Sequence, residues 1–197
     1  MMILNRRLFQ IKPDKIEGAS AFIKAEAEAL EEYKGPTRIY MPLFAPWEIL
    51  AVEWQYESLA EYETLWATYA ARPESQEFLA KFAAFEVEAH SNWLGEALAA
   101  SEADGSKNTI AVRWARYPEP GTWHDVFAAN VAEFVTPGEL VAWISARETG
   151  RFGEQTLEIE YESLSAHEAA ITEWHARATA AAYCEKADAN LLSGGTS

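Results

Sequence analysis

The chain has 197 residues, enough for one large domain or two small ones, and its 49% hydrophobic and 24% charged content is that of a folded globular protein. Its 31 acidic residues outnumber 16 basic ones, giving a net charge of −15. That sign repels nucleic-acid phosphates and anionic membrane surfaces, so neither is an expected partner.

In chain order, the stretch from Met2 to Ile11, "MILNRRLFQI", reads as a strand that ends before Pro13. A helix follows from about Asp14 to Tyr33, rich in Ala, Glu and Leu, and Lys34-Gly35-Pro36 stops it. "TRIYMPLFAPW" reads as a strand that Pro42 makes an edge or a bulged one. In "EILAVEWQYE", Leu50, Val52, Trp54 and Tyr56 alternate with Ala51, Glu53, Gln55 and Glu57, the period of a half-buried strand. Ser58 then caps a helix, with Glu61 completing a capping box and Leu59, Tyr62, Trp66 and Tyr69 forming its inner stripe. A further helix starts at Pro73, with Phe78, Phe82, Phe85, Ala89 and Trp93 at helical spacing.

"EADGSKN", residues 102–108, reads as a linker. After it the order recurs. "TIAVRWARY" is a strand, Thr122 opens the helix "TWHDVFAANVAEFV", and "LVAWISARE" is a strand leading to a turn over Thr149–Gly153. "QTLEIEYE" is the last strand, and "SLSAHEAAITEWHARATAAAY" the last helix, headed by Ser163 as its counterpart is headed by Ser58. The joint is nearly a quotation. "EWQYESLAEYE" from Glu53 and "EIEYESLSAHE" from Glu158 lie 158 − 53 = 105 positions apart. The expected organisation is therefore a first repeat over 1–101, the linker 102–108, a second repeat over 109–190, and a frayed tail over 191–197.

The phrases "LAVEWQYESLAEYETLW" and "LEIEYESLSAHEAAITEW", with "RRLFQIKPDKIEGASAF" and "VRWARYPEPGTWHDVF", resemble the dimeric α/β-barrel superfamily of ferredoxin-like folds, most of all its NIPSNAP-like branch. The resemblance implies an α+β fold of tandem ferredoxin-like β-α-β-β-α repeats, whose antiparallel sheets form a pseudo-dimeric α/β barrel. It leaves open whether the repeats pair within one chain or across a homodimer. The superfamily hosts haem-degrading and cofactor-free monooxygenases, isomerases and peroxidases, so it implies a site location more than a reaction.

Alternation places Glu53, Gln55 and Glu57 on one strand face, and Glu158, Glu160 and Glu162 on the matching one, away from the apolar faces expected to meet the helices. Carboxylates turned towards a barrel lumen need partners, and Arg6, Arg38, Arg113, Arg147 and Arg151 lie on or beside the strands. The candidate ligand-binding set is Glu53, Glu57, Arg113, Trp114, His124, Trp143, Arg147, Glu158 and Glu162. Trp114 and Trp143 offer stacking surfaces on the second-half strands, and His124 opens a helix in "GTWHDVF". His167, on a helix stripe with Ile171 and Trp174, reads as a packed histidine, and His90 and His175 as solvated ones. Zinc spacings and dinucleotide, phosphate-loop and hydrolase motifs are absent, so no metal or resident cofactor is expected. The lone Cys184 allows no intrachain disulfide and suits a cytoplasmic setting. No run approaches the ~20 apolar residues of a membrane span. Two functions stand: a small-molecule site, as in a cofactor-free monooxygenase or isomerase, or a non-catalytic association module, with haem binding a third option.

Overall fold

The computed structural model describes residues 2–29, 37–41, 49–85, 91–147 and 153–190. The helix stop at 34–36, Pro42, His90, most of the turn over 149–153, Arg151 and the tail lie outside these residues. The fold is α+β with antiparallel ladders, and the chain forms two compact units, Met1–Gly95 and Glu96–Ser197.

The first unit runs β1 (Met2–Gln10), α1 (Ile16–Ala29), β2 (Thr37–Tyr40), β3 (Ile49–Tyr56), α2 (Leu59–Ala70), α3 (Pro73–Phe82), and then enters β4 (Ser91–Ala100). Its strand order, β2-β3-β1-β4, is that of a ferredoxin-like β-α-β-β-α-β module. The alternation in β3 works as its sequence dictates. Leu50, Val52, Trp54 and Tyr56 are buried on the helix side with Ile3, Phe9 and Ile11 of the first strand and its extension. Each fully buried aliphatic side chain there contributes about 2 kcal/mol. Phe22 of α1 stacks on Phe78 of α3 at 5.0 Å and 3°, and Phe9 meets Phe82 edge-on at 4.9 Å, closing the layer.

Helix α3 is shorter than its stripe of aromatics suggests. It ends at Phe82, a turn carries the chain through Phe85, and Trp93 lies in strand β4. Two contacts from Lys12 fix that end: its N–H donates to Phe85 O at 2.9 Å and its Nζ to Ala84 O at 2.9 Å. A cation just past a helix C-terminus has the favourable polarity there. The Ala- and Leu-rich β4 shows tertiary pairing overriding a helical propensity, which is a weak prior.

The second unit runs β5 (Ile110–Arg116), α4 (Trp123–Asn130), β6 (Val141–Arg147), β7 (Gln155–Tyr161), α5 (Leu164–His175) and α6 (Ala178–Asn190), with strand order β6-β7-β5. Helix α4 widens into a π-turn over Val131–Val135, closed by Thr136 N–H donating to Val131 O at 2.8 Å. The final helical stretch divides into α5 and α6 near Ala176. Leu157, Ile159 and Tyr161 of β7 pack with Ala142 and Ile144 of β6 beneath the helices. Residues 102–109 form neither helix nor strand, and they fold onto this unit. Thr109 N–H donates to Tyr161 O at 2.9 Å. A Cβ on Gly105 would sit 3.0 Å from Val141 Cγ2 and 3.3 Å from Glu160 Oε2.

Candidate functional site

Among the described residues, each unit carries an ion pair between a partly buried arginine and a buried glutamate on the strand face turned away from its helices. Arg6 of β1 stands directly opposite Glu53 of β3, and its Nε donates to Glu53 Oε2 at 2.9 Å, with a second contact from Nη2. Arg113 of β5 stands directly opposite Glu158 of β7 and donates to Glu158 Oε2. The carboxylates are almost wholly shielded, at 3% and 6% side-chain exposure. From the other flank, Arg38 of β2 is opposite Glu53, and Trp143 of β6 is opposite Glu158. These charges neutralise one another, as buried charges must.

Of the nine candidate residues, Arg113, Trp143 and Glu158 meet on this face of the second unit, and Glu53 holds the same place in the first. Glu57 and Glu162 lie past the strand ends and are exposed. The Glu57 N–H is bonded by the Glu61 carboxylate, and the Glu162 carbonyl accepts from Thr109 Oγ1 at 2.8 Å. Trp114 is on the opposite, helix-facing side, against the apolar core. His124 is exposed at the start of α4, edge-on to Trp123 at 5.2 Å. Arg147 ends β6, but its side chain lies outside the described residues. His167 packs edge-on against Tyr161 at 4.8 Å.

The helix side of the first unit holds a group that sequence reading passed over. Adjacent strand residues point to opposite faces, so the doublet Arg6-Arg7 sends one guanidinium to each side. Arg7 goes among the aromatics. Its guanidinium carbon is 4.1 Å from the Trp66 ring centroid and 5.5 Å from that of Trp54. The two indoles are 6.3 Å apart, so they flank neighbouring sides of the guanidinium and do not sandwich it. No acceptor among the described residues bonds Arg7 Nε. Burial holds the Arg7 pKa below its ordinary value, and the Tyr62, Tyr56 and Tyr69 phenols offset part of that effect.

The surrounding shell is aromatic and polar at once. Tyr56 meets Tyr62 edge-on at 5.2 Å, and Trp66 meets Tyr69 at 5.4 Å. Burial, then Tyr62, pushes the Tyr56 phenol up. Burial, then Glu26, pushes Tyr69 up to about 12, and its hydroxyl donates to Glu26 Oε1 at 3.2 Å. Asn5, wholly buried, sits opposite Trp54 on the same face. Cation–π contacts return about 0.5–2 kcal/mol each. A desolvated charge is costly unless compensated, and the two indoles supply part of that compensation to the partly buried Arg7.

The second unit fills the matching positions with apolar groups. Trp114 follows Arg113 as Arg7 follows Arg6, and Ile159 follows Glu158 as Trp54 follows Glu53. A cleft of about 50 Å³ remains there, lined by Ile159, Tyr161, Ala170, Trp174, Phe134 and Leu140, with Glu133 and Arg177 beside it. Trp174 Nε1 donates to Glu133 Oε1 at 2.7 Å, and Arg177 is paired to Glu139 at 2.7 Å and Glu173 at 3.0 Å. That volume holds a few waters and no substrate of ordinary size.

Residues 5–97 match the NIPSNAP family model. This stretch is NIPSNAP-like. It contains Asn5, Arg7, Trp54, Tyr56, Tyr62, Trp66 and Tyr69, the whole aromatic shell. Beyond that stretch, the fold is shared with solved structures over nearly the full chain. A "Putative monooxygenase" of Fusobacterium nucleatum matches with a TM-score of 0.77 at 11% identity, covering 97% of this chain and 88% of that one. A "putative monooxygenase" of Lactobacillus acidophilus matches at 0.73 and 9% identity, covering 98% and 90%. An "anthrone oxidase-like protein" matches at 0.62 and 11%, covering 97% and 86%. No curated protein matches the chain. No helix among the described residues is long and apolar enough to cross a membrane, and no cluster of three or more His, Cys, Asp or Glu there could hold a metal ion.

Proposed function

We propose that the chain binds a small aromatic molecule on the helix side of its NIPSNAP-like stretch and oxidises it with dioxygen, as a cofactor-free monooxygenase. The observation that carries this reading is Arg7, a desolvated guanidinium without an acceptor at Nε, walled by Trp54 and Trp66. An electron-rich enolate or phenolate can reduce dioxygen directly, and the protein's task is then to bind that anion and hold its charge. The fold neighbours' names describe those proteins, and they supply a trial substrate. Anthrone loses a proton to give its enolate. The enolate passes electrons to dioxygen, a carbon–oxygen bond forms, and the sum is anthrone plus dioxygen to anthraquinone plus water. Arg7 would stabilise the enolate oxygen.

The setting we propose is cytoplasmic, consistent with a single cysteine. The two halves, 1–101 and 109–190, are in this reading copies of one module, supported by the shared strand order and by ion pairs at matching register. The copies have diverged, and the site belongs to the first. The test is dioxygen uptake and anthraquinone formation from anthrone in air, with Arg7→Met as the comparison. Turnover above the spontaneous rate that Arg7→Met abolishes supports the reading, and equal rates for both proteins and for buffer reject it.

A second reading is a non-catalytic association module. It is favoured by Leu59 and Leu164, the first residues of α2 and α5, which are 45% and 44% exposed. Native mass spectrometry separates the two, since a monomer retaining an aromatic ligand contradicts the second.

A further inference from the structure

The strand order of the first unit, β2-β3-β1-β4, gives its ion-pair strand β1 a neighbour on each side. The second unit follows the same order only as far as β6-β7-β5. There β5 pairs with β7 from Ile110↔Tyr161 to Arg116↔Gln155, and it has no strand on its other side among the described residues. From that open edge we infer a docking surface at which a second copy of this chain adds its own β5, antiparallel and about a two-fold axis. The inference goes beyond the proposed reaction and does not rest on it, since Arg7 belongs to the first unit.

Three observations carry it. First, an edge strand presents a row of backbone N–H and C=O groups that another strand can take up, and proteins guard such edges with short strands, proline, lysine or bulges. Strand β2, at the end of the first unit's order, is four residues long. Strand β5 runs Ile-Ala-Val-Arg-Trp-Ala-Arg, without proline or lysine and with unbroken register against β7. Its arginines do not guard the edge, because Arg113 is turned to Glu158 and Arg116 lies over the Tyr183 ring at 5.5 Å. Second, Ile110, Val112 and Trp114 pack on the core yet stay partly exposed, whereas every residue of β7 is buried. A strand laid alongside would cover them. Third, β5 is complementary to itself. The register that sets Val112 opposite Val112 of the second copy sets Ile110 opposite Trp114 on the helix side and Ala111 opposite Arg113 on the other. Apolar groups then meet apolar groups, aromatic against β-branched being a favourable cross-strand pair, and no arginine faces another.

Sheet extension is a common mode of recognition. Symmetric pairing of two identical edges uses up both, so the assembly closes as a dimer and does not propagate. A strand of this length spans roughly 24 Å, and pairing along it buries less than about 1,200 Å², the size of a transient association. Each copy carries a net charge of −15, so repulsion opposes the pairing and added salt should strengthen it.

The test is sedimentation velocity of the intact chain over about a hundredfold range of concentration, with hydrogen exchange of the 110–116 amides read across the same range. The variant is Ala111→Lys. Glu160, opposite Ala111 on β7, supplies a counter-charge within the chain, while the introduced ammonium would face Arg113 of the second copy. The unaltered chain should dimerise as concentration rises, and its 110–116 amides should exchange several-fold more slowly at the upper end. Ala111→Lys should lose both effects and keep a cooperative melt. Should it fail to fold, the exchange series on the unaltered chain decides. A chain that stays monomeric throughout overturns the inference. So does a dimer whose 110–116 exchange is independent of concentration, since its contact lies elsewhere. Slow exchange of these amides in the monomer would mean that the edge is covered from within the chain, and would overturn it as well.

Discussion

Arg113 and Glu158 face each other at directly opposed positions of the β5–β7 ladder, the carboxylate buried and the guanidinium partly so, in a sheet whose other face is the hydrophobic core. Removing one member leaves the other charged in a site with little water. Glu158→Leu alone should destabilise the protein by about 3 kcal/mol, lowering the melting temperature by roughly 6–12 °C. The joint substitution Arg113→Met with Glu158→Leu should be close to neutral, because both desolvation costs vanish together. A urea denaturation cycle over the four proteins measures this, and additive single effects would show that the two charges do not act as a pair.

The two helix caps offer a paired comparison. Ser58 Oγ accepts from Glu61 N–H at 3.1 Å, and Ser163 Oγ accepts from Ala166 N–H at 3.1 Å. At Ser58 the Glu61 carboxylate also bonds the Glu57 N–H, completing a reciprocal box that Ala166 cannot form. Ser163→Ala should cost about 1 kcal/mol. Ser58→Ala should cost the same or slightly more, since the box loses one of its two bonds. Thermal melts of each variant give the ranking.

Those caps were legible in the sequence because capping is local: a serine, a spacing and a hydrophobic run are enough. The same locality made the recurring phrase visible, since Glu53-to-Glu63 and Glu158-to-Glu168 are nearly one strand-to-helix phrase written twice. Register is not local, so the opposition of Arg6 to Glu53 and of Arg38 to Glu53 needed the ladder itself. Strand β4 was hidden by its composition, because Ala, Leu and Glu favour helices until a neighbouring strand decides otherwise. The expected stripe of α2 holds at Tyr62, Trp66 and Tyr69 and fails at its first member. Leu59 is exposed, and Leu65 packs on the core in its stead. Arg7 was legible in principle, as the second member of an arginine doublet on a strand. Only the position of Trp66, far along the chain on α2, shows what the inward guanidinium meets.

Buried phenols set the alkaline limit of stability. Tyr161, by burial, is pushed up to about 12, and Tyr69 to about 12 by burial and then Glu26. Tyr56 is raised as well. In the unfolded chain these groups ionise near 10. Between about pH 10 and 12 the native state therefore holds protons that the unfolded state releases, and stability falls as pH rises. Below pH 10 both states are protonated and the contribution is fully present. Calorimetric melts from pH 9 to 12 should show this decline. Tyr69→Phe should shrink it, while an ultraviolet titration should show late ionisation of Tyr69 and Tyr161 among the eight tyrosines.

Arg7 and Trp114 occupy matching places in their ladders, each directly after the arginine of its ion pair, and they set opposite expectations for stability. Trp114 packs on the apolar core of the second unit, so Trp114→Ala should cost about 3 kcal/mol or more. Arg7 carries a desolvated charge, and two effects compete when it is replaced by Met. The cation–π contacts are lost, at about 0.5–2 kcal/mol each. The desolvation penalty is lost too, and for a charge with Nε unbonded it is the larger. Arg7→Met should therefore stabilise the ligand-free protein by about 1 kcal/mol, the usual direction when a functional group is exchanged for a packing group. The same substitution should remove the anthrone turnover proposed for this site. A melting temperature that falls in Arg7→Met, with anthrone turnover intact, would make Arg7 a structural residue and the aromatic shell of the first unit an ordinary core.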